Sequence, residues 1–202
     1  MKFIDLYNKF ENYPLIEKRE VKKFYPNLDS RRFYEWQKKG YLEKLSNNFY
    51  IFKRKKLNDA DLRFIANKLY NPSYLSLEFA LDFYGLIPEI VFSFTSITSK
   101  KPKKIHNKIG NFHYRKIKKE LFFGYRIITQ NGISYKIAEP EKALLDFLYL
   151  RSDIKNEDDL ESLRINQEIY KEKISDKKLN NYLTYFNSKT LNKKIEKLNK
   201  II

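Results

Sequence analysis

Phe3, Leu6, Tyr7 and Phe10 recur at i, i+3, i+4 and i+7, the single apolar stripe of an amphipathic helix that ends near Pro14. A second, shorter helix fits residues 16–24, with Val21 and Phe24 inward and Lys18, Arg19, Lys22 and Lys23 outward. Tyr25-Pro26-Asn27 breaks it, because proline disfavours the helical conformation at the residue before it. A third helix starts at Asp29 or Ser30, either of which can cap a free amide, and runs to about Lys39, where Gly40 suits a stop. Two β-prone runs, 41–45 and 49–52, flank the polar turn Ser46-Asn47-Asn48. Helix, helix, tight turn, helix, hairpin is the order of a winged helix-turn-helix, expected here over residues 1–56.

The remainder, 57–202, reads as an α+β domain with a mostly antiparallel sheet and a helical C-terminal tail from about 151. Asn58 can cap a helix from Asp59 to about Leu69; Asn71-Pro72-Ser73 is a break; Ser76 can cap a helix over 77–84 that Gly85 closes. Strands are expected over 91–98, around Ile105, and over 112–117, 125–129 and 133–137. Gln130-Asn131-Gly132 joins the last two as a hairpin, since Asn-Gly accepts positive φ. A helix follows with Pro140 in its first turn, where the missing N–H costs nothing, and Glu139 and Glu141 complement its positive end. Its apolar face is Ala143, Leu144, Phe147, Leu148 and Leu150.

Charge changes the picture. The 202 residues carry a formal net charge of +16, distributed as +8 over 1–70, +6 over 71–135 and +2 over 136–202. A basic excess of this size suits a polyanion, through phosphate neutralisation and counterion release. On the third helix, Phe33, Trp36 and Gly40 cluster on one side and should pack inward, Trp36 beside Phe33 as core rather than as a base-stacking group. The opposite side presents Arg31, Tyr34, Glu35 and Lys38, flanked by Ser30 and Gln37 on one hand and Arg32 on the other. If this helix enters a major groove, Arg31 is suited to guanine and Gln37 to adenine, while Ser30 and Lys38 suit phosphates. Glu35 either accepts from cytosine or pairs with Arg31 or Lys38. Asn47 and Asn48 form the wing tip, and Lys53, Arg54, Lys55 and Lys56 follow as a run that tracks a backbone or serves as a charged linker. A second basic surface comprises Lys100, Lys101, Lys103, Lys104, Arg115, Lys116, Lys118 and Lys119; it extends the DNA surface, binds RNA or an acidic protein, or guards strand edges.

Catalytic chemistry finds little footing. There is no cysteine, which excludes disulfides, a thiol nucleophile and thiolate zinc sites, and His106 and His113 are the only histidines. No phosphate-cradling glycine loop, nucleophile elbow or His-Glu-x-x-His helix occurs. Glu139/Glu141 and Asp158-Asp159 are explained by helix starts, and His113, between Phe112 and Tyr114, should face solvent. The expectation is a non-enzyme without cofactor or metal. Asp5 interrupts any apolar signal-peptide core and no apolar run reaches the roughly 20 residues of a bilayer span, so the expected location is cytoplasmic.

Three segments carry a family resemblance. Ser76-Leu77-Glu78-Phe79-Ala80-Leu81 with Tyr84-Gly85-Leu86-Ile87-Pro88-Glu89, then Gly110-Asn111-Phe112-His113-Tyr114, and most specifically the stretch Ile137-Ala138-Glu139-Pro140-Glu141-Lys142-Ala143-Leu144-Leu145-Asp146, resemble the AbiEi family. These are antitoxins of type IV toxin–antitoxin systems, and the resemblance covers residues 1–150. It implies a winged helix that binds inverted repeats in its own promoter and represses it, and a C-terminal domain that counters a nucleotidyltransferase-type toxin in abortive phage defence without a stable complex. Carried onto this chain, DNA contact falls on Ser30, Arg31, Arg32, Tyr34 and Lys38, with Asn47 and Asn48 on the wing, where an Arg-Gly tip is the commoner pattern. Residues 137–146 look structural. The alternative is an orphan winged-helix regulator whose C-terminal domain senses a ligand or protein partner.

Overall fold

The computed structural model describes residues 1–202. The chain begins with α1 (Phe3–Phe10), β1 (Ile16–Glu17), α2 (Lys18–Phe24) and α3 (Arg31–Lys38), then a hairpin of β2 (Leu42–Ser46) and β3 (Phe49–Phe52). The three strands form an antiparallel sheet in the order β1-β3-β2. Ile16 and Glu17, expected in the second helix, instead pair with Tyr50 and Phe49. Ile16 is β-branched and wholly buried, and pairing beside β3 serves it better than a helix's first turn. Starting two residues later, the seven-residue α2 reaches the core only with Val21, so Phe24, expected inward, is 55% exposed under the Lys9 ammonium.

A ten-residue core that includes Leu6, Phe10, Ile16, Phe33, Trp36 and Tyr50 lies between α1, α3 and the hairpin. Leu15, Leu45 and Ile51 turn the other way and join the larger core of the remaining chain. The hairpin therefore belongs to both cores.

The second part continues with α4 (Asp59–Leu69), β4 (Ser73–Leu75), α5 (Leu77–Phe83), β5 (Ser93–Thr98), β6 (Lys103–Asn107), β7 (Gly110–Lys116), a 3-10 turn (Lys119–Leu121), β8 (Tyr125–Gln130) and β9 (Ile133–Ala138). Five helices complete it: α6 (Pro140–Leu150), α7 (Glu157–Glu161), α8 (Gln167–Lys173), α9 (Asp176–Phe186) and α10 (Lys189–Ile201). The sheet order is β6-β7-β5-β4-β9-β8. Three pairings are antiparallel, but β5/β7 and β4/β9 are parallel, so the fold is α+β with a mixed sheet and a helical C-terminal part. The expected break after α4 is present, and β4 starts at its last residue, Ser73, without having been expected; all three strand residues are buried, so it has no alternation to display. Asn131 (φ 53°) and Gly132 (φ 76°) make the expected tight turn between β8 and β9. No helix is long and apolar enough to cross a membrane.

One buried polar cluster ties the sheet to α6. Tyr74 and Ser76 both donate to one Asp146 oxygen at 2.9 Å, Lys142 pairs with the other, and the Lys142 ammonium also donates to Tyr74 at 3.0 Å. That ammonium lies 5.0–5.6 Å from the ring centres of Phe186, Phe123 and Tyr74. Gly124, at φ 70°, packs on its stem, where a methyl group would stand 2.9 Å from the lysine Cγ. Ser76 is thus spent on Asp146 rather than capping α5. Thr95 takes over the cap, accepting from Phe79 N at 3.0 Å and donating to Ser76 O at 2.8 Å.

Glu139 and Glu141 fasten α9 to the start of α6. Glu139 accepts from Tyr182 and pairs with Lys178 at 2.9 Å, and Glu141 accepts from Ser175 N at 3.0 Å. Burial by itself would raise the Glu139 carboxyl, but Tyr182 and Lys178 outweigh it and hold it below its ordinary 4.5. Stability from this group is then complete above pH 4.5 and is lost as pH falls through the lowered folded-state value. Glu139→Gln should cost about 1 kcal/mol at pH 7, the low end for a half-buried charged hydrogen bond. That deficit should shrink below pH 4.5 in urea titrations of the two proteins; an undiminished deficit would mean the carboxylate charge is irrelevant.

Candidate nucleic-acid interface

The side chains that could meet a duplex are set out by α3. Asp29, not Ser30, caps it: one carboxylate oxygen accepts from Arg31 N at 2.8 Å and the other from Arg31 Nε at 2.9 Å. The first of these bonds is the main reason the Asp29 carboxyl sits below its ordinary range. Ser30 is itself helical (φ −60°, ψ −23°) and makes no capping bond. Phe33 and Trp36 anchor the inner side, Phe33 at 5.6 Å from Trp36 and 4.9 Å from Tyr50, and Trp36 at 5.8 Å from Phe3. Trp36 is 4% exposed and therefore core.

The outer side presents Arg31, Arg32, Tyr34, Glu35 and Lys38, all exposed. Arg31 has 87% of its side chain accessible, against 48% for Arg32. The pairing of Arg31 with Asp29 is an exposed ion pair screened by solvent, easily exchanged for a stronger acceptor. Glu35 pairs with Arg32 at 2.9 Å, rather than with Arg31 or Lys38 as expected; spacing allows all three, but Arg31 is held by Asp29 and Lys38 lies over Tyr34. The Lys38 ammonium rests 4.8 Å from the Tyr34 ring centre. Gln37 departs from its expected role. It is half-buried and donates to Phe33 O at 3.0 Å, so its amide faces its own helix.

Asn47 and Asn48 are exposed at the hairpin tip, Asn48 at φ 70°, and Asn48 O accepts from Lys18 N at 2.8 Å. Lys53 and Arg54 are exposed at the opposite end of β3, where Lys53 N donates to Tyr41 O at 3.1 Å near the end of α3. Tip and basic run are therefore separated by the length of β3 and do not act as one element. Lys55 corrects the expectation of a free cation: its ammonium donates to Glu11 O at 2.6 Å and Tyr13 O at 3.1 Å, closing the end of α1. Partial burial lowers its pKa.

The second basic surface adjoins the hairpin. Asn107 Nδ2 donates to Leu45 O at 3.2 Å and Lys108 pairs with Glu43 at 3.3 Å, which brings β6 alongside β2. Between them runs a groove of about 530 Å³ lined by Lys44, Asn47, Lys103, Lys104 and Lys108 among others, with Glu43 as its single carboxylate. Asn47 and the Lys103/Lys104 pair, expected on separate surfaces, thus share one groove. Lys44 and Lys108 join them without any sequence signal, because the β2–β6 contact links segments some 60 residues apart. The remaining members scatter. Lys100 donates to Asn71 O at 2.6 Å and Arg115 to Leu150 O at 3.1 Å. Lys101 is exposed beside them, and Lys116, Lys118 and Lys119 are exposed at the end of β7 away from Asn107. His113, expected to face solvent, is half-buried. No three His, Asp or Glu side chains come together as metal ligands would.

Exposed guanidinium, ammonium and phenol groups on one helix side, with a lysine-lined groove between β2 and β6, can neutralise phosphates and hydrogen-bond base edges. No protein-family model matches the chain, and no curated protein is significantly similar to it.

Proposed function

We propose that the chain is a DNA-binding autorepressor and antitoxin of a type IV toxin–antitoxin (abortive-infection) system. On this reading residues 1–56 act as a winged helix-turn-helix on inverted repeats in the chain's own promoter, and the remainder counteracts a nucleotidyltransferase-type toxin without a lasting complex. The DNA half is carried by α3, which buries Phe33 and Trp36 and turns Arg31, Arg32, Tyr34 and Lys38 to solvent. The antitoxin half rests on the resemblance of residues 76–89, 110–114 and 137–146 to AbiEi proteins. A second reading, an orphan regulator that responds to a partner, is favoured by an open cleft beside β5 and β7.

Titrating the protein with its own upstream DNA and with a scrambled duplex across salt tests the DNA half. Preference of roughly 10³-fold or more at physiological salt is expected; sequence-indifferent binding that vanishes with salt would overturn it. Arg31→Ala should cost about 1–3 kcal/mol on the operator and relax preference at one position. Lys38→Ala should weaken all duplexes alike and make the salt slope shallower by about one. Lys55→Ala should leave that slope unchanged, since its ammonium already serves two carbonyls. Co-expression with a neighbouring nucleotidyltransferase tests the antitoxin half: growth should be rescued without co-purification, and failure to rescue favours the orphan regulator.

A further inference from the structure

A cleft of about 650 Å³ opens over β5, β7 and β6, on the sheet beside α5. One wall is apolar: Leu77 opens α5, and Ile90 and Phe92 come from the segment before β5. Ile90 is 75% and Phe92 84% exposed, the two most exposed large hydrophobic side chains of the chain. Their segment is pinned at two points, by Val91 N donating to Asp82 at 2.9 Å and by the Glu89–Arg164 ion pair. The display of these side chains is therefore built in and not a consequence of a loose loop. Across the cleft, register aligns Thr95 of β5, His113 of β7 and Lys104 of β6, with Arg115 two residues further along β7. Arg115 is steadied by its bond to Leu150 O at 3.1 Å. Glu78 is the one carboxylate among the lining residues.

We propose that this cleft docks an acidic segment of a partner protein, carrying an aliphatic or aromatic anchor that covers Ile90 and Phe92. An apolar centre with a polar rim is the anatomy of a protein–protein hot spot, and the excess of Lys103, Lys104 and Arg115 over the single carboxylate Glu78 selects an anion. Single-stranded nucleic acid is less well matched, because stacking platforms use successive accessible rings, whereas of the rings lining this cleft only Phe92 is exposed, His113 being half-buried and Tyr114 buried. The cleft shares Lys103 and Lys104 with the lysine groove but no residue with α3, so Phe92→Ser, which alters neither, separates this reading from the DNA reading.

A display library of random 12-residue peptides, selected on the full chain at physiological salt with counter-selection on Phe92→Ser, supplies the test. Recovered peptides are then titrated by fluorescence anisotropy, beside a 12-nucleotide single strand. Acidic peptides with a Leu, Ile or Phe anchor are expected, weakened at least 10-fold by Phe92→Ser and at least 10-fold by Lys104→Glu. Phe92→Ser should keep the parent's melting temperature and DNA affinity, since its side chain is exposed and belongs to neither α3 nor the lysine groove. No enrichment, enrichment without acidic bias, or peptides indifferent to both substitutions would overturn the proposal. Tighter binding of the oligonucleotide that is lost in Phe92→Ser would overturn it in favour of nucleic acid.

Discussion

Asp146→Ala should remove about 3–5 kcal/mol of unfolding free energy, the range for breaking a buried ion pair from one side. Asp146 and Lys142 are both fully buried, and burial pushes the carboxyl up and the ammonium down while their mutual attraction pulls each back. With the carboxylate gone, the Lys142 ammonium keeps only Tyr74 Oη and three aromatic rings, and Tyr74 and Ser76 lose their acceptor. Total stabilities are about 5–15 kcal/mol, so this one change uses a large share. Replacing both charges tells the stabilising and penalising parts apart: Lys142→Met in the Asp146→Ala background should recover most of the loss, because no unpaired charge then remains. Urea denaturation of the four proteins of this cycle gives the coupling directly. A single Asp146→Ala deficit below 1 kcal/mol would mean that water reaches the site.

Trp36→Ala should cost about 3–5 kcal/mol in the same assay, as removal of a buried aromatic does. The core it belongs to has only ten residues, and Trp36 meets both Phe3 and Phe33 edge-on, at 5.8 and 5.6 Å. So small a core has little with which to refill the space. The cost should fall on residues 1–52 first, and operator binding should disappear at temperatures where the second core still holds its circular-dichroism signal. Unchanged stability with reduced DNA affinity would instead make Trp36 a contact residue.

What could be read from the sequence was what local chemistry determines. Asn58 caps α4 with Asp61 returning the bond, at 2.9 and 3.0 Å, and the helix covers the expected Asp59–Leu69. The inner side of α3 followed from the positions of Phe33 and Trp36, and the β8–β9 turn from Asn131-Gly132. What escaped was set by distant partners. Ser76 reads as a helix cap until Asp146, 70 positions on, claims its hydroxyl. Lys55 reads as a free cation until the end of α1 supplies two carbonyls. β4 has three buried residues and hence no pattern, and the parallel pairings of β4 and β5 leave no local mark. In the candidate interface the exposed arginines of α3 were legible, whereas Gln37's turn toward Phe33 O and the groove between β2 and β6 were not.

The hairpin that serves two cores also limits how evolution can rearrange this molecule. Any replacement for residues 1–56 would have to bring Leu15, Leu45 and Ile51, or equivalents of the same size, to fill the larger core. It would also have to present a carbonyl for Asn107, or leave the outer edge of β6 open to self-association. The solvent side of α3, the DNA-reading side in the proposed function, can therefore change at little structural cost, whereas wholesale exchange of the first 56 residues demands matched changes across the junction.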